Sequence, residues 1–202
     1  MKHDILATLG VSRETEQRLR IYTALLIKWN PTINLISRRD ESLVWNRHVL
    51  DSLALLTAFP SAQTHAIDLG SGGGFPGIVL AIATDTHFHL VEADQRKAAF
   101  LREASRATAA PTTIHPVRIE SAIIEPAPVV TARALAPLDR LLTLAAPFLA
   151  PGGICLFPKG RTIDNELTAA QTHWHMQAER LPSATDPAST ILRVRGISRV
   201  GA

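Results

Sequence analysis

Four glycines occur within five residues, Gly70-Ser71-Gly72-Gly73-Gly74, between two short apolar segments. Glycine lets a backbone turn sharply and approach a ligand closely, and a turn of this kind between a strand and a helix is where nucleotides bind in parallel sheets. A plain strand-to-helix turn needs fewer glycines. The cluster therefore predicts a nucleotide-like ligand at this turn, with Gly72 among its contacts.

Two carboxylates flank the glycine cluster and indicate the charge of the ligand. Asp68 stands four residues before Gly72, where it would repel a pyrophosphate but attract the ammonium and sulfonium groups of S-adenosylmethionine. Glu92 ends the next apolar segment and can accept hydrogen bonds from both ribose hydroxyls of an adenosine. A nicotinamide oxidoreductase would need a second nucleotide-binding half and a catalytic domain, and only 110 residues follow Glu92. The pattern favours a methyltransferase that uses S-adenosylmethionine.

The elements that position these residues alternate between strand and helix, which predicts an α/β fold with a mainly parallel, doubly wound sheet of the Rossmann-like class I methyltransferase type. The strands are expected at 65–69, 87–91, 112–119, 129–131 and 153–157. The helices are expected at 75–83, 95–107, 138–149 and 166–175. A closing β-hairpin is expected from segments 176–181 and 191–198.

The first part of the chain differs from the rest. Residues 1–60 carry apolar side chains at helical spacing and are predicted to form a helical N-terminal cap on a methyltransferase domain of residues 61–202. Ser12 can cap the first helix, and Pro31 is expected to end it. A second helix is expected to begin after Asp40.

The composition excludes several classes of protein. Of the 202 residues, 46% are hydrophobic and 19% charged, so the chain can bury a core and is not disordered as a whole. It has no apolar run long enough to cross a bilayer and no recognisable signal peptide, which predicts a cytoplasmic protein without membrane contact. A single cysteine, Cys155, excludes an internal disulfide and a multi-cysteine zinc site, and no metal is expected. The formal net charge of +3 permits a polyanionic partner without requiring one.

Several dispersed motifs occur in the order typical of one family. They are Trp29-Asn30 with Asn34-Leu35, Arg47 to Ser52, Asp68 to Gly77, Arg118-Ile119-Glu120, Thr131 to Ala134 and Pro158-Lys159-Gly160. With these motifs the chain resembles, over nearly its whole length, the bacterial guanine-N7 methyltransferases of small-subunit (16S) ribosomal RNA, also called glucose-inhibited division protein B. The resemblance implies S-adenosylmethionine as the cofactor and 16S rRNA within the small ribosomal subunit as the partner.

The resemblance also implies which residues hold the cofactor. Glu92 matches the acidic position that the family has at the end of its second strand. Pro126-Ala127-Pro128 departs from the family, whose members often carry an aspartate before the fourth strand. Further cofactor contacts are implied at Gly70, Phe75, Ile119, Glu120 and Arg133.

Methyl transfer to guanine N7 needs no general base, because N7 is an acceptor with a lone pair that is unprotonated near neutral pH. Catalysis then depends on holding the nucleophile, the methyl group and the sulfur in line. We expect Arg133 and His48 to position the reacting groups, although His48 could also be an interior histidine and Arg133 part of a structural salt bridge. Cys155 lies between Ile154 and Leu156 and is expected to be a buried strand residue rather than a nucleophile.

Basic side chains near the expected cleft are candidates for RNA contact, and each could also be a solvated surface charge. The candidates are Arg38, Arg39, Arg47, Lys159 and Arg161. The protein is expected to act as a monomer. Three other functions stay open at this point: a methyltransferase that acts on a protein or small molecule, a non-catalytic ribosome-assembly factor that binds RNA, and a nicotinamide oxidoreductase.

Overall fold

A computed structural model describes residues 2–61, 63–160, 162–183 and 189–201, with side chains from residue 5 onward. Its centre is a seven-stranded sheet in the order β3-β2-β1-β4-β5-β7-β6. Strands β1 to β5 run parallel, and β7 pairs antiparallel with both β5 and β6, so the predicted parallel sheet and closing hairpin are confirmed. The strands are β1 His65–Leu69, β2 His87–Val91, β3 Thr112–His115, β4 Ala127–Thr131, β5 Leu149–Lys159, β6 Trp174–Pro182 and β7 Thr190–Arg199.

The α-helices of the described ranges are α1 Lys2–Thr8, α2 Arg13–Ile33, α3 Leu50–Leu53, α4 Gly77–Thr84, α5 Gln95–Thr108, α6 Leu138–Ala145 and α7 Ile163–Gln171. Helices α4 and α5 connect the first three strands, and α6 connects β4 to β5. These crossovers place the carboxyl ends of the parallel strands, and the loops that follow them, at one edge of the sheet.

Helix α2 differs from the sequence-based expectation at its end. Ser12 caps it as predicted, because its hydroxyl accepts a hydrogen bond from the Thr15 amide at 3.0 Å. Pro31 does not end the helix: it is exposed and lies near the last turn, where the carbonyl that loses its partner can bond to water. The helix ends at Ile33, and the cap residue Asn34, whose left-handed backbone has φ +50°, turns the chain.

The second helix of the cap is not continuous. From Arg38 the chain forms a 3₁₀ turn, a π turn over Trp45–Val49, α3 and another 3₁₀ turn over Ala54–Thr57. Strand β3 is shorter than predicted, because Pro116 follows His115 and has no amide hydrogen to continue the ladder. Residues 116–118 form no regular element, and a 3₁₀ turn, Ile119–Ser121, follows them.

Apolar side chains cover both faces of the sheet. One face carries α2 to α5, with Tyr22, Leu53 and Phe88 among its fully buried residues, and the other face carries α6 and α7 and includes Cys155. The N-terminal helices therefore share a core with the sheet, and the domain boundary at residue 60 stays a prediction. Within the described ranges, no helix combines the length and apolar character needed to span a membrane.

Candidate active site

The glycine-rich turn connects β1 to α4 through backbone conformations that other residues rarely adopt. Gly70, Gly72 and Gly74 have φ values of +66°, +54° and +93°. A Cβ atom at Gly70 would lie 2.7 Å from a methyl carbon of Leu135, in the loop after β4. The turn therefore packs directly against that loop, and the left-handed backbone at Gly70 favours glycine there.

A cavity of about 650 Å³ lies against this turn. Small-molecule sites measure about 300–1,000 Å³, so the cavity can hold a nucleotide-sized ligand. Its walls come from the glycine turn, from the segment before α3 and from the loop after β4. Six residues singled out from the sequence contribute to these walls: Arg47, His48, Gly70, Gly72, Phe75 and Arg133.

Glu92 follows β2 and is held beside the turn by two backbone amides. Its Oε2 accepts a hydrogen bond from the Gly72 amide at 2.8 Å, and its Oε1 accepts one from the Asp94 amide at 2.8 Å. An ionised carboxylate has about four acceptor sites, so both oxygens keep capacity for a further donor. Glu92 is not among the residues that line the cavity, so its contact with ribose hydroxyls stays a prediction.

Asp68 is fully buried beneath the glycine turn and joins β1 to β4. Its Oδ1 accepts a hydrogen bond from the Thr131 hydroxyl at 2.7 Å, and Oδ2 has no hydrogen-bond partner of good geometry within the described residues. Burial raises the pKa of Asp68 to about 6, although hydrogen bonds to the carboxyl oppose the rise. Asp68 does not line the cavity, so its contact with a ligand stays a prediction, and its observed role is to fix the two central strands under the turn.

Tyr22 of α2 supports the turn from behind, which the sequence analysis did not anticipate. Its hydroxyl donates a hydrogen bond to the Gly73 carbonyl at 2.5 Å, and its ring meets Phe75 edge-on at 5.4 Å between centroids. Burial raises the pKa of Tyr22 well above its ordinary value, so the phenol stays a donor. The helical spacing of Tyr22 indicated only a core position, and no signal in the sequence connects it to a loop 51 residues away.

Arg133 links the loop after β4 to the N-terminal cap. Its Nη1 lies 3.5 Å from Oδ2 of Asp51 and donates a hydrogen bond to the Arg47 carbonyl at 3.4 Å. Its guanidinium carbon lies 4.9 Å from the centre of the Phe75 ring, within the range of a cation–π contact. Arg133 thus forms a salt bridge with Asp51 and also lines the cavity. Asp51 lines the cavity as well.

His48 packs its ring against Phe75 with 5.0 Å between centroids. Its Nε2 is 3.6 Å from Oδ2 of Asp40, beyond hydrogen-bond distance, and both ring nitrogens are buried without a hydrogen-bond partner in the part of the chain that the structure describes. Burial, aided by the positive charge of Arg133, lowers the pKa of His48 to about 4. The imidazole on the cavity wall is therefore neutral at pH 7 and able both to donate and to accept a hydrogen bond.

Ile119 and Glu120 are not brought to the cavity. They line a separate groove beside α6, where Glu120 forms an ion pair with Arg140 at 2.7 Å and both side chains are more than half exposed. Their contact with the cofactor stays a prediction that rests on the family resemblance.

The basic residues proposed to contact RNA fall into different surroundings. Arg38 and Arg39 are exposed on the 3₁₀ turn of the cap. Arg47 is exposed beside the cavity and pairs with Asp40 at 2.6 Å. Arg161 lies outside the described residues.

Lys159 at the end of β5 is largely enclosed, with 10% of its side chain exposed. Its ammonium donates to Oε2 of Glu166 at 2.7 Å and to the Ala136 carbonyl at 3.2 Å. Glu166 also accepts a hydrogen bond from the Leu138 amide, at the start of α6. Burial opposes ionisation of Glu166, but the hydrogen bonds from Lys159 and Thr162 outweigh it and lower the pKa of Glu166. In this structure Lys159 therefore joins the starts of α6 and α7.

Comparison with known families identifies the chain. Residues 15–190 match the model of the family described as rRNA small subunit methyltransferase G. The chain belongs to this family. Two relatives called ribosomal RNA small subunit methyltransferase G match it over almost its whole length. The protein of Rhodospirillum centenum is 54% identical over 98% of this chain and 92% of its own, and that of Granulibacter bethesdensis is 56% identical over 95% and 90%.

The fold of this methyltransferase G family member also resembles that of more distant enzymes. TYW2 of M. jannaschii, solved in complex with AdoMet, has a TM-score of 0.53 and 15% sequence identity, covering 73% of this chain and 74% of that chain. The likeness confirms the class I methyltransferase fold predicted from the alternation of strands and helices.

Proposed function

We propose that the protein transfers the methyl group of S-adenosylmethionine to N7 of a guanine in 16S ribosomal RNA. One observation carries the proposal: in a member of the rRNA small subunit methyltransferase G family, the cavity at the carboxyl edge of the sheet is lined by Gly70, Gly72, Phe75 and Arg133. The reaction is assigned to the small ribosomal subunit in the cytoplasm, with the protein acting as a monomer.

The residues present fit S-adenosylmethionine. The backbone at Gly70 and Gly72 leaves room for close approach, and the carboxylate of Glu92 stands beside the turn with free acceptor capacity for ribose hydroxyls. Asp51 lies on the cavity wall and can attract the ammonium group. When bound, the cofactor supplies an electrophilic methyl group on a sulfonium.

The chain's own task is to position the guanine and exclude water, since N7 attacks through a lone pair and loses no proton. Methylation leaves the base with a positive charge. His48 is neutral at pH 7, so its ring on the cavity wall adds no positive charge that would oppose this one. Arg133 is tethered by Asp51 and by the Arg47 carbonyl, which keeps its guanidinium over Phe75 and at a defined place on the wall.

The test is transfer of tritiated methyl groups from S-adenosylmethionine to small ribosomal subunits that lack the modification, followed by nucleoside analysis. We expect label in 7-methylguanosine with the wild-type protein and at least a tenfold lower rate with Glu92→Gln or Arg133→Gln. Glu125→Gln is the matched control, because Glu125 is an exposed carboxylate away from the cavity.

The outcomes separate the proposal from its alternatives. Label in a ribosomal protein, or in added small molecules only, would show a methyltransferase with another acceptor. Cofactor binding with no acceptor labelled, together with binding to the subunit, would instead indicate a non-catalytic assembly factor.

A further inference from the structure

Four of the eight histidines of the chain lie together on one face of the sheet, away from the cavity. His65 begins β1 and pairs in register with His87, which begins β2. His89 follows two residues later on β2, so its side chain points to the same face as that of His87. His115 ends β3. None of these residues has a part in the proposed methyl transfer.

The four rings are in mutual contact around His89. The His89 ring centroid lies 5.1 Å from that of His87, 5.2 Å from that of His115 and 5.9 Å from that of His65. Nδ1 of His89 and Nε2 of His115 are 3.0 Å apart. Two nitrogens bound to one Zn²⁺ at about 2.0–2.1 Å would be separated by about 2.9 Å at a right angle and about 3.4 Å at the tetrahedral angle. The observed separation falls between these values.

Three other ring nitrogens of the cluster, on His87 and His65, differ in their hydrogen-bond partners. Nε2 of His87 lies 2.9 Å from the Thr113 hydroxyl, and Nδ1 of His65 lies 3.1 Å from the Thr64 hydroxyl. Nε2 of His65 is buried and has no hydrogen-bond partner within the described residues. The cluster therefore contains one close nitrogen pair and, beside it, a histidine with an unsatisfied nitrogen.

The charge state suits a cation. Burial, followed by the neighbouring histidines, lowers the pKa of His89 to about 4, and burial also lowers the pKa of His115. Both rings are thus neutral at pH 7, and each has one unprotonated nitrogen whose lone pair can coordinate a metal ion. Imidazole nitrogen is a ligand of choice for Zn²⁺, Cu²⁺ and Ni²⁺.

We propose that His89 and His115 form a two-nitrogen binding site for a divalent transition-metal ion of the zinc, nickel and copper group. The ion takes the place of the hydrogen bond between the two rings. Nδ1 of His89 and Nε2 of His115 become the ligands, and each ring keeps its proton on its other nitrogen, so binding releases no proton from these neutral rings.

The protein supplies two ligands and solvent completes the coordination shell. Across the described ranges, no group of three or more histidine, cysteine or acidic side chains is arranged to hold a metal ion, so a closed structural site is not expected. His115 also accepts, through its carbonyl, a hydrogen bond from the Glu92 amide at 3.1 Å. The backbone of His115, a ligand of the proposed site, is therefore hydrogen-bonded to the backbone of Glu92, the residue predicted to contact the cofactor.

The experiment is calorimetric titration of the untagged, full-length protein with Zn²⁺ at pH 7.5, with His3→Gln in every sample to remove the imidazole near the amino terminus. We expect one ion per chain, and at least about tenfold weaker binding in His89→Asn and in His115→Asn. His173→Asn and His175→Asn are the controls and should bind as the parent does, because these histidines lie near β6. Mg²⁺ should not bind at the site, since it prefers oxygen ligands.

Circular dichroism and thermal unfolding establish that each variant is folded, and His115→Asn, at the end of an edge strand, provides the second variant if His89→Asn is unstable. In the NMR spectrum of the parent, the ring signals of His89 and His115 should shift on addition of Zn²⁺. Absence of Zn²⁺ binding, or binding that both asparagine variants retain in full, would overturn the proposal.

Discussion

Tyr22 and Asp68 are fully buried polar side chains that lie against the glycine turn. The phenol of Tyr22 holds the Gly73 carbonyl, and the carboxyl of Asp68 holds Thr131 of the neighbouring strand. Tyr22→Phe removes one oxygen atom and Asp68→Asn replaces one, so neither change alters the shape of the side chain much. The two substitutions therefore report on single interactions.

Tyr22→Phe should weaken cofactor binding. The change leaves the Gly73 carbonyl without its buried donor, which costs about 1–3 kcal/mol and loosens the turn that shapes the cavity. We expect the KM for S-adenosylmethionine to rise severalfold while kcat changes little, because Tyr22 touches no reacting atom. Steady-state kinetics and calorimetric cofactor binding measure the two effects.

Thr23→Val is the matched control for Tyr22→Phe. The Thr23 hydroxyl donates only to the Arg20 carbonyl of its own helix, so its loss should leave the KM for the cofactor unchanged. A Tyr22→Phe protein with normal KM and lower stability would show that the hydrogen bond stabilises the fold without positioning the turn.

Asp68→Asn should change how stability depends on pH. The pKa of Asp68 is about 6 in the folded protein and near 3.8 in an unfolded chain. Between these pH values Asp68 is therefore protonated in the folded protein and ionised in the unfolded chain. The Asp68 contribution therefore becomes less favourable as pH rises from about 4 to about 6, by at most about 3 kcal/mol, and is constant above that range. Asparagine has no such titration.

Urea unfolding of both proteins between pH 4 and pH 7 measures this effect. The free energy of unfolding of the wild type, minus that of Asp68→Asn, should fall as pH rises through the window. The pKa of His48 is lowered in the folded protein, so its contribution to stability changes with pH in the opposite direction. This contribution is the same in both proteins and cancels when the two free energies of unfolding are subtracted. A difference that does not vary with pH would contradict the assignment.

The ion pair of Lys159 and Glu166 connects the end of β5 to α7, and the Glu166 carboxylate also accepts a hydrogen bond from the Leu138 amide at the start of α6. Lys159→Met should lower the free energy of unfolding by about 1–3 kcal/mol, because it leaves the half-buried carboxylate of Glu166 without its charged donor. Lys28→Met, at an exposed position of α2, should have little effect. Chemical denaturation compares the two. Unchanged stability with weaker binding to ribosomal subunits would favour the phosphate contact predicted from the sequence.

The elements of the sheet could be predicted from the sequence because strand and helix have different apolar periods and glycine or proline separates them. The predictions that fail depend on surroundings that a local pattern does not contain. Pro31 is tolerated because its turn faces water, and the predicted end of β3 overlooked the missing amide of Pro116. The cavity residues of the turn follow from local sequence, whereas the hydrogen bonds of Tyr22 and Lys159 join elements whose packing only the fold defines.

At the scale of the whole molecule, the N-terminal helices share a hydrophobic core with the sheet. A protein that begins at residue 61 would expose the apolar residues of α4 and α5 that α2 covers, and these include the fully buried Ile78 and Phe100. We expect it to lose cooperative thermal unfolding and to aggregate, as judged by calorimetry and light scattering. A stable, cofactor-binding fragment would instead support the domain boundary predicted at residue 60.

The tether of Arg133 to Asp51 has a consequence for the order in which the molecule is made. The cavity needs the segment around Asp51, the turn after β1 and the loop after β4, and these leave the ribosome in that order. Until β4 emerges and inserts beside β1, Asp68 has no Thr131 to bond and the third wall is missing. We therefore expect the nascent chain to bind the cofactor only after β4 has emerged, late in the biosynthesis of the protein.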